Sequence, residues 1–175
     1  GYLPMVLLTS KTGDARRFAF DHGDEVEVVC CVGGDGTFSE VVAGMVTGKH
    51  STPIGYIPAG STNDFASSLG LSPNLQVAAS DAVDGFPQSF DIGMLNGRHF
   101  AYVAAFGMLA KVSYSAPQDL KNILGHFAYV LEGICDLHSL RAEAVTIDTD
   151  EEHIEGEYLL GTVSNTTSIG GILRF

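Results

Sequence analysis

Apolar positions recur along this chain with two different periods, and the change between them divides it. Residues 5–8 form an apolar run closed by Thr9, and they predict a buried strand. The polar turn Ser10-Lys11-Thr12-Gly13-Asp14 leads into a short helix over 15–20, with Asp14 as its expected N-cap. Residues 26–32 are almost continuously apolar, as in strands that a parallel sheet buries on both faces. Gly33-Gly34-Asp35-Gly36-Thr37 interrupts that run, and from Phe38 the apolar spacing becomes helical until Thr47-Gly48-Lys49. Residues 53–58, bounded by prolines, predict a third strand that opens into Ala59-Gly60-Ser61-Thr62-Asn63-Asp64. A short helix over 65–69, ended by Gly70, and a further helix over 75–83 follow. Strand and helix alternate throughout this stretch, which is the signature of a parallel α/β layer.

Past residue 85 the pattern changes. Residues 89–95 read as a strand, Asn96-Gly97 is a strong hairpin signal, and the return strand is expected over 98–105. Residues 118–140 predict an amphipathic helix with Leu120, Ile123, Leu124, Phe127, Val130 and Leu131 on one face, suited to core packing. Residues 144–148 and 154–164 alternate as two antiparallel strands joined by the acidic turn Asp150-Glu151-Glu152. The expected organisation is therefore a parallel α/β part over 1–85 and a β-rich part with one long helix over 86–175. The chain begins close to a strand and stops at Phe175 in mid-element, so both parts are expected to be truncated.

Charge narrows the partners. Lys and Arg number 9 against 21 Asp and Glu, a net charge of −12 among 175 residues. Such a surface disfavours nucleic acid, where neutralising phosphates supplies most of the affinity. It equally disfavours a basic patch docking on anionic lipid. A metal-bound nucleotide remains compatible, because the cation screens the charge. Cys30, Cys31 and Cys135 have no zinc or disulfide spacing and are expected to be buried thiols of a cytoplasmic protein. The six histidines show no metal-ligand spacing. No apolar stretch is long enough for a transmembrane segment, and no signal peptide is visible.

Ligands of parallel sheets bind outside the carboxyl ends of the strands. Thr9, the turn Gly33-Gly34-Asp35-Gly36-Thr37 and the turn from Gly60 to Asp64 all fall at that edge. A glycine turn opening a helix suits a phosphate. A carboxylate such as Asp35 repels phosphate unless a metal ion or a proton transfer gives it a role. A tight βα turn with a solvated aspartate is the alternative for this stretch taken alone. Asp64 could simply cap the following helix, alone or with Ser61, and Asp91 could be a strand residue facing water.

Taken together, Gly33–Thr37 with Glu40, followed by Ile57-Pro58-Ala59-Gly60-Ser61-Thr62-Asn63-Asp64-Phe65-Ala66, resembles the diacylglycerol kinase catalytic domain. The likeness is to the bacterial soluble lipid-kinase branch, similar to sphingosine and ceramide kinases. It continues through Phe90-Asp91-Ile92-Gly93 and Lys121-Asn122-Ile123-Leu124-Gly125 and so covers essentially the whole chain. The resemblance implies an α/β fold with a parallel-sheet nucleotide-binding domain, then a β-sandwich-like domain carrying the long helix, with ATP in the cleft between them. It implies Mg²⁺-dependent transfer of the γ-phosphate of ATP to a lipid hydroxyl. By position, Thr9, Gly33, Gly34, Asp35, Gly36, Thr37, Glu40, Gly60, Ser61 and Asn63 are expected at ATP. Asp35, Asp64 and Asp91 match acidic positions of the catalytic network, with Asp35 and Asp91 at the metal, directly or through water. The partner implied is a lipid at the membrane surface, approached transiently from the cytoplasm, with a homodimer left open.

The chemistry is consistent with this. Phosphoryl transfer needs positioning and charge neutralisation rather than covalent help. Mg²⁺ keeps several waters, so one or two carboxylates suffice. The chain also departs from the family pattern. Ser61 stands where the family usually has Thr, Ser39 where it has Asn, and Ser67 where an Arg often follows, which removes a cation near the phosphates. The N-terminal Asn-Pro-x-x-Gly segment and the later Asp-Gly-Glu motif are missing, and with the latter the general base. An NAD kinase shares the Gly-Gly-Asp-Gly turn but not the second loop. A nucleotide- or lipid-binding module without catalysis is the other alternative.

Overall fold

The computed structural model describes residues 1–107, 141–165, 168–169 and 173–174. The expected helix over 118–140, Cys135 and Lys121 lie outside the described residues. The chain divides into two compact units, Gly1–Tyr102 and Val103–Phe175.

The first unit is a mixed α/β assembly. Helix α1 (Asp14–His22) leads to strand β1 (Val29–Gly33), helix α2 (Asp35–Gly48), strand β2 (Ile54–Pro58), and helices α3 (Asp64–Ser68) and α4 (Leu75–Asp84). Strands β1 and β2 pair in parallel, in a register running from Val29 opposite Ile54 to Gly33 opposite Pro58. The expected α/β alternation is therefore present, with a parallel strand pair at its centre. Helix α2 packs on the sheet through Phe38, Val41, Val42 and Met45, which are buried with Cys31 and Tyr56 of the strands. Ala15 and Ala19 of α1 and Phe65 and Ala66 of α3 complete this core. Burial of each large apolar side chain there contributes about 1.5–3 kcal/mol.

Several local expectations change. Residues 5–8 form no strand: they are exposed coil, and Leu8 is 83% accessible. A strand exists only where a partner ladder takes up its amides and carbonyls, and none among the described residues does so here. Strand β1 is shorter than expected and is not covered on both faces. Cys31 is buried, whereas Cys30 is exposed and Val32 is 62% accessible. Burial drives the Cys31 thiol up to about 12, with the neighbouring Cys30 adding to the effect. Of the three thiols expected to be buried, Cys31 is buried, Cys30 is exposed and Cys135 lies outside the described residues. Asp14 is not the N-cap of α1: that position belongs to Gly13, and Asp14 is the first helical residue.

The hairpin forms as expected, but with shorter strands, β3 (Gly93–Leu95) and β4 (Arg98–Phe100). Asn96 and Gly97 both take positive φ, 48° and 75°, as a two-residue hairpin turn demands. This hairpin belongs with the first unit. Phe90 and Tyr102, on either side of it, lie 6.4 and 6.2 Å from the Phe65 ring.

The second unit begins with β5 (Val103–Gly107), which the sequence joined to β4. It pairs instead with β8 (Leu160–Ser164), antiparallel, Val103 opposite Ser164. The expected strand over 154–164 is likewise split. Its first part is β7 (His153–Tyr158), paired with β6 (Glu143–Asp148), and its second is β8. The acidic connection between β6 and β7 closes through Thr149, whose Oγ1 accepts from the Glu151 and Glu152 amides. The short strands β9 (Ser168–Ile169) and β10 (Leu173–Arg174) form a further antiparallel pair.

Candidate functional site

The glycine turn after β1 is itself the first turn of α2. Gly34 is the N-cap, and Asp35, Gly36 and Thr37 are the first three helical residues. The leading amides of a helix have no intrahelical partner. Gly34 has no side chain with which to cap them, and no acceptor among the described residues takes up those of Gly36 and Thr37. A Cβ at Gly36 would meet nothing within 4 Å, so this turn faces open space.

The second loop behaves differently. The first two amides of α3, the helix it leads into, are already satisfied, and Asp35 satisfies them. Asp35 Oδ2 accepts from the Asp64 amide at 2.9 Å, and Oδ1 accepts from the Phe65 amide at 3.1 Å. The Tyr56 hydroxyl approaches the same Oδ1 at 3.4 Å. Asp35 thus caps α3 from across the site, which neither Asp64 nor Ser61 does. The helix N-cap position is Asn63, in the left-handed region at φ 52°. Its side chain folds back on its own loop, with Oδ1 accepting from the Gly60 amide at 2.9 Å and Nδ2 donating to the Gly60 carbonyl at 2.8 Å.

Backbone contact welds the two loops together. The Ala59 amide donates to the Gly33 carbonyl, continuing the parallel ladder past the ends of the strands. A Cβ on Gly60 would lie 2.4 Å from Gly34 Cα, so only glycine allows this approach. Aromatic packing supports the arrangement from below. Phe38 stacks on Tyr56 with ring centroids 4.4 Å apart and meets Phe65 at 5.2 Å.

The loop after Thr9 forms the third wall. Asp14 is 3% accessible, and its Oδ2 accepts from the Ser10 amide and hydroxyl, both at 2.9 Å, and from the Lys11 amide at 3.1 Å. These donors, led by the Ser10 amide and aided by Arg17, hold its carboxyl at about 2. Glu40 Oε1 accepts from the Gly13 amide at 2.9 Å at the other end of the loop. Between this loop and α2 lies a cavity of about 330 Å³ lined by Thr9–Thr12, Ala15, Thr37 and Glu40.

The structure therefore brings Thr9, Thr37 and Glu40 to one cavity. It joins Gly33, Gly34, Asp35, Gly60, Asn63 and Asp64 through the welded loops. Ser61 is exposed at the tip of the second loop, and Asp91 is exposed in the coil before β3. Asp14, Ser10, Lys11 and Tyr56 were not singled out for the site from the sequence. The Ser10–Asp14 spacing carried the only signal, because a carboxylate three or four residues after free amides can close a turn on them.

Among the described residues, no three His, Cys, Asp or Glu side chains converge as a metal cage. The donor set still fits a hydrated Mg²⁺. Burial raises the Asp64 carboxyl above its ordinary value, and the Asp35 charge raises it further. Two carboxylates close enough to repel favour a cation nearby. Asp35 Oδ2 accepts from one amide and keeps a second lone pair for a metal-bound water.

Residues 2–95 match the family model described as diacylglycerol kinase catalytic domain. The chain belongs to that family. It is 38% identical over 173 residues to a diacylglycerol kinase of Bacillus subtilis, covering 98% of this chain and 57% of the relative. A diacylglycerol kinase of Staphylococcus epidermidis is 37% identical over 173 residues, with 98% and 54% covered. A crystal structure from Bacillus anthracis, provisionally named a diacylglycerol kinase, superposes with a TM-score of 0.76 at 29% identity. It covers 96% of this chain and 56% of that one. The chain thus spans a little over half the length of these relatives. No helix among the described residues is long and apolar enough to cross a membrane.

Proposed function

We propose that the chain provides the ATP-binding side of a lipid kinase that phosphorylates the hydroxyl of a diacylglycerol-like acceptor. The observation that carries this is the difference between the two helix starts. The leading amides of α2 have no acceptor among the described residues and face open space beside the Thr9–Thr37 cavity, whereas those of α3 are already held by Asp35. Oriented amides at the start of a helix stabilise phosphate oxygens. In this reading the Gly36 and Thr37 amides and the Thr37 hydroxyl bind the polyphosphate, and Thr9 closes the cavity from the opposite loop. Gly33, Gly34, Gly60, Ser61 and Asn63 shape the turn, and Glu40 anchors the loop that carries Thr9. Asp35, and Asp91 from the next loop, hold Mg²⁺ through water, with Asp64 beside them. When bound, the ion neutralises charge on the transferring phosphoryl group.

The reading extends to a nucleotide domain followed by a lipid-facing domain, whose boundary the sequence set at 85 and the compact units set at Tyr102, and to transient work at a membrane surface from the cytoplasm. Dimerisation stays open within it. Its test uses protein expressed from the complete gene, with γ-labelled ATP, Mg²⁺ and mixed micelles containing diacylglycerol. Labelled phosphatidic acid is the expected product. Label on NAD instead, or ATP binding with no transfer to any lipid hydroxyl, would replace the reading with one of its alternatives.

A further inference from the structure

We propose that Lys11 is the cation that binds the nucleotide's phosphates in this chain, an inference that rests on the cavity being the nucleotide site. Among the described residues, Lys11 is the only lysine or arginine lining the cavity shared by Thr9 and Thr37. No carboxylate among the described residues forms an ion pair with it, and Glu40, on the same wall, is engaged by the Gly13 amide. The other cations of the first unit are placed elsewhere. Arg16 is exposed on α1 and does not line the cavity. Arg17 is paired with Asp14 at 3.3 Å and lies over the Phe18 ring at 4.6 Å. Lys49 caps the far end of the 14-residue helix α2, roughly 20 Å from the phosphate turn at 1.5 Å per residue. Arg98 opens β4.

The need for such a cation is clear from the charges. Asp35 and Asp64 stand at the welded loops and Glu40 lines the cavity, the chain carries net −12, and position 67 is Ser. A nucleoside polyphosphate entering this field gains from a cation beyond its own Mg²⁺. Lys11 is prepared for that role from the backbone outward. Its amide and those of Ser10 and Gly13 are pinned by Asp14 and Glu40, so the Lys11 Cα is fixed and only the side chain is ordered on binding. Because those amides are occupied, the loop offers phosphate a side chain rather than a backbone cradle.

Calorimetric titration of the chain and its Lys11→Met and Lys11→Arg variants with the Mg²⁺ complexes of ATP, ADP and AMP tests this. Lys11→Met should bind ATP about tenfold more weakly, ADP less severely affected and AMP least. Lys11→Arg should restore most of the loss, and the melting temperature should be unchanged. Lys11→Met binding ATP within twofold of the parent overturns the assignment of Lys11 alone. An equal loss for all three nucleotides also overturns it, because a displaced loop would produce that. A parent chain that binds none of them overturns the nucleotide site itself and Lys11 with it.

Discussion

Asp35→Ala removes the acceptor on which the start of α3 depends, and its cost is calculable from the geometry. Two amides lose their partner, Asp64 N at 2.9 Å and Phe65 N at 3.1 Å. Loss of a capping side chain costs about 0.5–2 kcal/mol. The Tyr56 hydroxyl, at 3.4 Å, is too long a contact to add much of its own. An opposing term comes from Asp64, whose raised carboxyl loses its charged neighbour and ionises more easily. The net expectation is a destabilisation of about 1–2 kcal/mol, which lowers Tm by about 2–8 °C for a chain of this length. Asp35→Asn retains one acceptor oxygen but turns an amide group toward two donors, so its Tm should fall between parent and alanine variant. Both variants should lose Mg²⁺-dependent phosphoryl transfer in the complete protein, with magnesium-free ATP binding less affected. Thermal denaturation by circular dichroism, paired with the transfer assay, separates the two roles. A Tm within 1 °C of the parent in Asp35→Ala refutes the capping role, and near-normal turnover in Asp35→Asn refutes the metal role. The pH dependence gives a further check. The folded Asp64 value lies above the unfolded one, so its stabilising contribution is present below the unfolded value and lost as pH rises through the folded value. Asp35→Ala should make that slope shallower.

Gly60→Ala should destabilise the chain by about 1–3 kcal/mol and weaken ATP binding, since its Cβ would stand 2.4 Å from Gly34 Cα. Gly36→Ala, with open space at its Cβ, should leave Tm unchanged or raise it, and equal losses from both variants would refute the close approach of the loops. For Asp14, the folded carboxyl at about 2 lies below its ordinary value of 3.8, so its contribution is present above 3.8 and lost as pH falls through about 2. Acid denaturation followed between pH 5 and 2 should therefore be flatter in Asp14→Asn than in the parent, and parallel curves would show that the Ser10–Asp14 clamp contributes nothing.

What could be read from the sequence was what local chemistry decides. The apolar run into Gly33, the helical spacing after it and the proline-bounded strand at 54–58 each carry their signal within a few residues, and β1, α2 and β2 formed as a parallel α/β unit. The Asn96-Gly97 turn is equally local, because two consecutive residues must take positive φ. Pairing is not local, and there the sequence misled. Residues 5–8 have the composition of a strand but no ladder among the described residues, and β5 joins β8 at a separation of 61 residues between Val103 and Ser164 rather than continuing β4.

The acidic motif positions divide along the same line. Sequence could mark Asp35 and Asp64 as chemically active but not show that one carboxylate serves the other's backbone across 29 residues. That link changes how the motif is understood. In a chain so rich in carboxylates, Asp14, Glu40 and Asp35 are each used first as acceptors for loop amides. Every loop amide closed in this way is withdrawn from ligand binding. In the proposed reading the amides at the head of α2 are where an anion gains most, and Asp35 remains beside it with a lone pair on Oδ2 for a hydrated cation. On that reading, structural closure of two loops and selection of the third for phosphate are one electrostatic arrangement. Losing Asp35 should loosen the site and misdirect the anion in a single step.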